Sequence, residues 1–305
     1  MSARRPPRTL PTAVSAALVV LLFGGCGGGD DPEPADRAAS GGFDADRAFA
    51  DVRAQVELGP RPAGSAANRR QSRFLAAELR LAGVEGVRVQ RPYRNVVGTI
   101  PGGEPGYVIV GAHHDTKQGI GPQFVGANDG ASGVAVVLEL ARALPRRLSG
   151  PSVAIALFDA EEARGNRPFD QDGTRGSRQY VRYAEEERDG SPPLAQIRAM
   201  VLFDLVGDCD LQLPRESSSD EGLYALFADA AGGAPFEGTT GAISDDHVPF
   251  IQTGIPAVDL IDFTFGSAET PGPYWHTEQD TLDKVCPESL DAVGEAALEA
   301  IPQIR

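Results

Sequence analysis

The stretch YVIVGAHHDT, residues 107–116, decides the fold of this chain. Its first six residues are rich in apolar and β-branched side chains, which predicts a strand buried on both faces. Such strands are typical of mainly parallel sheets covered by helices, in which ligands bind beyond the carboxyl ends of the strands. Two of the chain's four histidines, His113 and His114, and then Asp115 lie just beyond this strand. A functional site is therefore expected there.

The segments on either side of this strand predict an alternation of strands and helices. Residues 131–144 place apolar side chains at the spacing of one helix face. Further helices are predicted at 43–58, 65–82, 177–187, 221–231 and 287–301, and further strands at 84–90, 95–100, 152–158, 199–206 and 255–261. Strands joined by helical crossovers predict the α/β class, with a mainly parallel central sheet covered on both sides.

Histidines and carboxylates recur at the ends of the predicted strands and in the loops that follow them. They occur in HHD (113–115), ND (128–129), DAEE (159–162), at Asp204, and in WHTEQDT (275–281). The carboxyl ends of parallel strands meet at one edge of the sheet, so these side chains are expected to converge.

Imidazole and carboxylate ligands without thiolate suit zinc or another borderline divalent ion. A metal held by several strand ends keeps an open face, where it acidifies bound water and polarises a carbonyl. In the adjacent pair Glu161 and Glu162, one carboxylate can bind the metal while the other moves a proton. The chain has no HExxH helix, so its proposed ligands are spread along the chain instead. It has no GxSxG elbow, which argues against a serine hydrolase.

Composition limits the partners and indicates the compartment. The formal net charge of −15 argues against binding to nucleic acid. Residues 1–25 combine a basic start with the apolar run 13–23, which predicts a secretory signal peptide. The run ends in LFGGC, similar to the lipobox of bacterial lipoproteins, so Cys26 is the predicted lipidation site.

The expected location is the outer face of a bacterial cytoplasmic membrane, with the lipid at Cys26 as the only membrane contact; otherwise the protein is secreted. Residues 26–42 read as a flexible tether and 43–305 as a single catalytic domain. Cys209 and Cys286 either pair outside the cytoplasm or stay as two buried thiols.

An ordered set of motifs from 58 almost to the end of the chain resembles the zinc aminopeptidases of peptidase family M28 and their glutaminyl cyclase branch. The motifs are LGPRPAGS, GAHHDT, GANDGASGVAVVLELAR, FDAEEA, LFDLVGD, SDDHVPF and YWHTEQDTLDKV. The resemblance implies a zinc exopeptidase-like fold, a three-layer α/β/α sandwich with a mainly parallel, mixed sheet. It also implies peptide substrates with a free N-terminus.

The aminopeptidase resemblance implies two zinc ions bridged by Asp129. One ion would also bind His113 and Asp204, and the other Glu162 and His276. Glu161 matches the general base, and Asp115 matches a carboxylate that orients the first histidine; His114 matches no ligand. This resemblance makes hydrolysis by a metal-activated water the leading expectation.

The alternative is a glutaminyl-peptide cyclotransferase, which forms N-terminal pyroglutamate with one zinc held by Asp129, Glu162 and His276. Glu161 would then move a proton from the substrate's α-amine to the leaving ammonia, assisted by Asp204. Trp275 and the run Asp245, Asp246 and His247 favour this branch, and Trp275, Asp245 and His247 are expected in or beside the substrate pocket. Asp259, which stands where animal cyclases have a histidine, does not favour it. A third reading, a metal-dependent binding protein without turnover, conflicts with the intact Glu161.

Overall fold

The computed structural model of the chain describes residues 1–2 and 42–305. The stretch that opens with Tyr107 forms a strand in the interior of a six-stranded sheet, and two short strands form a second sheet. The strands are β1 (Glu85–Val89), β2 (Val96–Ile100), β3 (Tyr107–His113), β4 (Ser152–Phe158), β5 (Ile197–Asp204), β6 (Arg215–Glu216), β7 (Thr239–Thr240) and β8 (Ala257–Ile261).

The order of strands in the large sheet is β1-β2-β4-β3-β5-β8. The pairs β4/β3, β3/β5 and β5/β8 are parallel, whereas β1/β2 and β2/β4 are antiparallel. The chain leaves β3 for β4 on one side and later reaches β5 on the other, so the strand order reverses at β3. Gly111 pairs with Leu202, which brings the ends of β3 and β5 side by side. Ligands in open α/β sheets bind at such a switch point.

Helices cover both faces of the sheet. They are α1 (Ala45–Val56), α2 (Ala66–Leu81), α3 (Ala131–Ala143), α4 (Phe169–Asp172), α5 (Arg175–Glu185), α6 (Glu221–Ala231), α7 (Val248–Ile251) and α8 (Pro287–Ala300). One apolar core joins one face of the sheet to α1, α2, α3, α6 and α8, and a second core joins the other face to α5 and α7.

Successive side chains of β3 point to opposite faces of the sheet, so this strand contributes to both cores. Val108 and Val110 face the first core, whereas Ile109 between them faces the second. Both kinds of position are almost completely buried, so a continuous apolar run is required rather than an alternating one. The predicted α/β/α sandwich with a mainly parallel, mixed sheet is confirmed.

Several details differ from the sequence prediction. Residues 169–172 form one helical turn, α4, and residues 248–251 form another, α7, where no helix was predicted. Helix α5 begins at Arg175, before the predicted residue 177. The predicted signal peptide (1–25), the lipidation of Cys26 and the tether (26–42) fall almost wholly outside the described residues. None of the described helices has the length and apolar character needed to cross a membrane.

Cys209 and Cys286 form a disulfide, which resolves the alternative that the sequence left open. Cys209 follows the loop after β5, and Cys286 is the residue before α8, so the bond ties the first residues of α8 to the sheet edge that carries the site. The bonded cysteines are 77 residues apart. A crosslink over a segment this long removes much conformational entropy from the unfolded chain.

Replacing both cysteines with alanine should lower the free energy of unfolding by about 4.5 kcal/mol, the value that the chain-entropy relation gives for this loop. Urea unfolding of both proteins with and without dithiothreitol measures the loss. Reductant should lower the stability of the unmodified protein to that of the Cys209→Ala/Cys286→Ala variant and leave the variant unchanged. Equal stability of the two proteins without reductant would refute this role.

Candidate metal centre

The predicted site residues converge at the carboxyl edge of the sheet, at the switch point between β3 and β5. His113 is the last residue of β3 and Asp204 the last residue of β5, and both therefore stand at fixed positions in the sheet. The remaining members lie in the loops that follow β3 and β4 and in the loop before α8: Asp129, Glu161, Glu162 and His276.

Two groups of three side chains share one aspartate. In the first, His113 Nε2 lies 3.2 Å from Asp129 Oδ1 and 3.2 Å from Asp204 Oδ1. In the second, His276 Nε2 lies 3.4 Å from Asp129 Oδ2 and 3.0 Å from Glu162 Oε1. The two carboxylate oxygens of Asp129 thus face different histidines. Each group offers the ligand set that the sequence resemblance implied.

The donor set fits a divalent metal such as zinc. Ligand atoms at ordinary zinc bond lengths in a tetrahedral shell are separated by about 3.3 Å, close to the distances within both groups. Asp129 Oδ2 is buried and has no hydrogen-bond partner among the described residues. A buried carboxylate without a partner is costly, and a cation would remove that cost. His113, Asp129 and Asp204 could hold one ion, and Asp129, Glu162 and His276 another.

The position of Asp129 is set by its neighbours. The Asp280 carboxylate accepts the backbone N–H groups of Asn128 (2.7 Å) and Asp129 (3.0 Å). Burial raises the pKa of the Asp280 carboxyl to about 7, and the charge of Asp129 adds to the rise. Gly130 has a φ of +92°, and a Cβ there would lie 2.8 Å from the carbonyl oxygen of Asp115. Asp280 lies in the WHTEQDT segment, but no role for it was predicted from the sequence.

Glu161 faces the same space without belonging to either group of three. Its Oε2 lies 4.0 Å from His113 Nδ1, and its backbone N–H donates to Asp115 Oδ1 at 3.0 Å. Burial, followed by the charge of Glu162, raises the pKa of the Glu161 carboxyl well above its ordinary value. A raised pKa makes this carboxylate a better proton acceptor than an ordinary one.

Asp115 lies beside His113, but the nearest distance, from Oδ1 to Nδ1, is 3.8 Å, which is too long for a hydrogen bond. Its clearest contact is the backbone N–H of Glu161, so it positions Glu161 as much as the histidine. His114 is fully buried, and its Nε2 lies 3.2 Å from the carbonyl oxygen of Arg94, outside the metal centre as expected.

Aromatic side chains form one wall of the site. The Trp275 indole stacks on the His276 ring at 3.8 Å between centroids, and Phe263 meets the indole edge-on at 5.0 Å. Phe124 lies edge-on to His276 from another direction. His276 itself has a φ of +52°, a conformation that a non-glycine residue adopts at some cost. The stacking and this backbone conformation both fix the plane of the imidazole ring.

His247 and Asp245 are the remaining residues that were predicted in or beside the substrate pocket. His247 is fully buried; its Nε2 lies 3.0 Å from Ser218 Oγ and 3.4 Å from Glu216 Oε1. Burial alone would raise the pKa of the Glu216 carboxyl. Its hydrogen bonds with His247, Ser219 and the backbone of Ser218 outweigh burial and lower the pKa to about 2. Asp245 is buried as well, and burial raises the pKa of its carboxyl. Neither residue belongs to the two ligand groups found among the described residues.

Lys117 is the one lysine in contact with the ligand groups among the described residues, with Nζ 3.2 Å from Glu162 Oε2. Lys117 follows the HHDT motif directly, but no contact with a ligand residue was predicted for it from the sequence. The ion pair leaves Oε1 of Glu162 to face His276. A lysine here also balances part of the acidic charge that the four carboxylates bring together.

A mainly parallel sheet that gathers imidazole and carboxylate groups at its switch point defines a class, the zinc exopeptidase-like enzymes. The chain belongs to peptidase family M28, whose family model matches residues 95–301. This family, together with a zinc-dependent exopeptidase among the similar solved structures, supports zinc as the metal.

Both branches of the family occur among similar proteins. The chain is 26% identical over 222 residues to a glutaminyl-peptide cyclotransferase of Drosophila melanogaster, covering 63% of this chain and 60% of that protein. It is 29% identical over 206 residues to aminopeptidase YwaD of Bacillus subtilis (strain 168), covering 65% of this chain and 41% of that one. The chain thus spans less than two thirds of either relative.

A solved structure is similar over almost its whole length. The crystal structure of an Acidobacteriales bacterium glutaminyl cyclase superposes with a TM-score of 0.75 at 28% identity, covering 90% of this chain and 98% of that one. Proteins named glutaminyl cyclase are more numerous among the similar proteins than those named aminopeptidase.

Proposed function

We propose that this protein is a zinc-dependent glutaminyl-peptide cyclotransferase that converts an N-terminal glutamine to pyroglutamate. The observation that carries the proposal is the aromatic wall that Trp275 forms on His276. Cyclisation uses no water as a reactant, whereas hydrolysis needs one at the open face of the metal. An apolar wall directly on a ligand histidine favours the reaction without water. The abundance of cyclases among the similar structures supports the same choice.

In the proposed reaction, some residues hold the metal and others move the proton. Asp129, Glu162 and His276 would hold the zinc, which as a Lewis acid polarises a carbonyl. The substrate's α-amine nitrogen attacks the γ-carboxamide carbon, so that a C–N bond forms and the bond to the departing nitrogen breaks. Glu161 accepts the proton from the amine and delivers it to that nitrogen, which leaves as ammonia. Asp204 contacts Nε2 of His113. From this opposite side of the histidine it would assist the proton transfer by Glu161.

Aminopeptidase hydrolysis, the leading expectation from the sequence, is the second candidate. The specific observation in its favour is the complete first group, in which His113 and Asp204 meet Asp129. A second zinc held there would give the bridged pair that the aminopeptidase resemblance implies. Peptides with a free N-terminus are the proposed substrates in either case.

Export with a lipid anchor at Cys26 stays a prediction from the sequence, and so does the single catalytic domain over 43–305. The disulfide between Cys209 and Cys286 supports export, because disulfides persist in oxidising compartments. The acidic net charge of −15 still argues against nucleic acid as a partner.

Two peptides that differ only in their first residue separate the candidates. The purified protein should release ammonia from a glutamine-led peptide and leave that peptide intact apart from the lost ammonia. It should release no leucine from the matched leucine-led peptide. Mass spectrometry and an ammonia assay read the products, and elemental analysis should find one zinc per chain. Release of free N-terminal residues with two zincs per chain would establish the aminopeptidase instead.

A further inference from the structure

A cavity of about 360 Å³ outside the metal centre is lined by arginines from three separate segments of the chain. One comes from the first turn of α2, two from the segment before β2, and two from the region between β4 and α5: Arg69, Arg91, Arg94, Arg164 and Arg175. We call this cavity the arginine pocket. Asp159 is the one acidic residue that lines it.

The arginine pocket lies at the same edge of the sheet as the metal centre but two strands away. Arg94 precedes β2, and Asp159 follows β4 directly. Val96 pairs with Leu157, so the start of β2 lies beside the carboxyl end of β4. None of the five arginines is a metal-ligand candidate, and the proposed reaction uses none of them.

The charges in the arginine pocket do not balance. Arg164 and Arg175 both pair with Asp172, at 2.5 and 2.7 Å. The Asp159 carboxylate is already engaged by the Asn68 amide and by the backbone N–H of Arg94. Five guanidinium groups therefore face two carboxylates. Among the described residues, no carboxylate lies within salt-bridge distance of the other three arginines.

Arg94 shows the imbalance most clearly. Arg94 is only 8% exposed, and its Nε donates to Ser72 Oγ at 2.9 Å. Its two terminal amino groups have no acceptor within the part of the chain that the structure describes. Burial, followed by the positive charge of Arg91, lowers the pKa of this guanidinium. These amino groups are free to donate to an anion, and an anion bound there would also offset the repulsion between Arg94 and Arg91.

We propose that the arginine pocket binds an oxyanion with two or more negative charges. The planar guanidinium group matches phosphate and carboxylate oxygens in bidentate geometry. The volume lies at the small end of the range for small-molecule sites. The acidic net charge of the whole chain repels anions, so the affinity has to come from these local contacts. Such oxyanion groups belong to a free small molecule or to consecutive acidic side chains of a peptide.

Isothermal titration calorimetry on the zinc-loaded full chain at constant ionic strength tests the proposal. The probes are inorganic phosphate, citrate and the blocked peptide N-acetyl-Glu-Glu-Glu-amide, whose acetyl group removes the free N-terminus. The test variant is Arg69→Gln/Arg91→Gln, because both residues are exposed and can be replaced without loss of the core. The control is Arg70→Gln/Arg147→Gln, which makes the same change in net charge at exposed positions outside the pocket.

At least one probe should bind saturably to the unmodified protein. The test variant should weaken that binding by at least about tenfold, because each lost guanidinium removes charge-assisted hydrogen bonds. The control should change it by less than about twofold, as expected for exposed, solvent-screened charges that do not line the pocket. Binding of phosphate or citrate alone identifies a free anion as the ligand, and binding of the peptide alone identifies acidic peptide segments.

Two results would overturn the proposal. One is the absence of saturable binding for all three probes. The other is binding that the test and control variants retain equally, which would assign the anion to the metal centre. Equal urea midpoints of both variants show that a loss of binding is not a loss of folding. The outcome does not depend on whether the enzyme cyclises or hydrolyses peptides.

Discussion

Replacing Glu161 with glutamine is expected to lower kcat by about a thousandfold, within the range that general acid–base catalysis contributes. The amide keeps the size of the side chain but can neither accept the proton of the substrate amine nor return it to the leaving group. Glu161 belongs to neither ligand group, so the variant should bind as much zinc as the unmodified protein. Turnover of a glutamine-led peptide and elemental analysis of the same sample measure the two quantities.

The matched control is Glu162→Gln, the same chemical change one residue further along the chain. Glu162 Oε1 lies 3.0 Å from His276 Nε2, within a ligand group. This variant should lose activity together with zinc, whereas Glu161→Gln loses activity alone. Unchanged turnover in Glu161→Gln would assign the proton transfer to another residue. Loss of zinc in Glu161→Gln would place its carboxylate among the ligands.

The sequence predicted the parts of the fold that depend on local pattern. The strand β3 was recognisable because both its faces are buried, which requires the unbroken apolar run that begins at Tyr107. The bounds of α3 were predicted to within one residue, since an apolar face at helical spacing ends there in a proline-containing loop. The convergence of the site residues followed from the same reasoning, because the ends of parallel strands meet at one edge. Their division into two ligand groups followed from the family resemblance.

The contacts that the sequence did not reveal depend on tertiary distance. The bond between Cys209 and Cys286 joins residues 77 positions apart, and no local pattern shows that their Cα atoms approach to 4.9 Å. The role of Asp280 rests on two backbone N–H groups that lie more than a hundred residues earlier in the chain. The helical turn α4 is too short to carry a periodic signal, and the contact of Asp172 with Arg164 and Arg175 accompanies it.

The arginine pocket has the same origin as these missed contacts. Each of its arginines is unremarkable in the sequence, because single basic residues on helices and loops are usually solvated. Only the antiparallel pairing of β2 with β4 brings Arg94 beside Asp159 and Arg175. Charge patterning along the chain therefore predicts an acidic protein and conceals a basic cavity within it.

Replacing Asp129 with asparagine should weaken zinc binding by at least about a hundredfold, since loss of even an outer-shell partner reaches that magnitude. Asp129 contacts both histidines through different oxygens, so asparagine removes the charge that both groups share and replaces the ligand oxygen of one group with an amide nitrogen. His113→Ala removes a ligand from the first group only. Elemental analysis and zinc competition with a fluorescent chelator measure both variants beside the unmodified protein.

In a cyclase with one zinc, His113→Ala should keep the full zinc content while Asp129→Asn loses it. If His113→Ala instead lost one of two ions, the second group would have to be a working metal site and the aminopeptidase reaction would replace cyclisation.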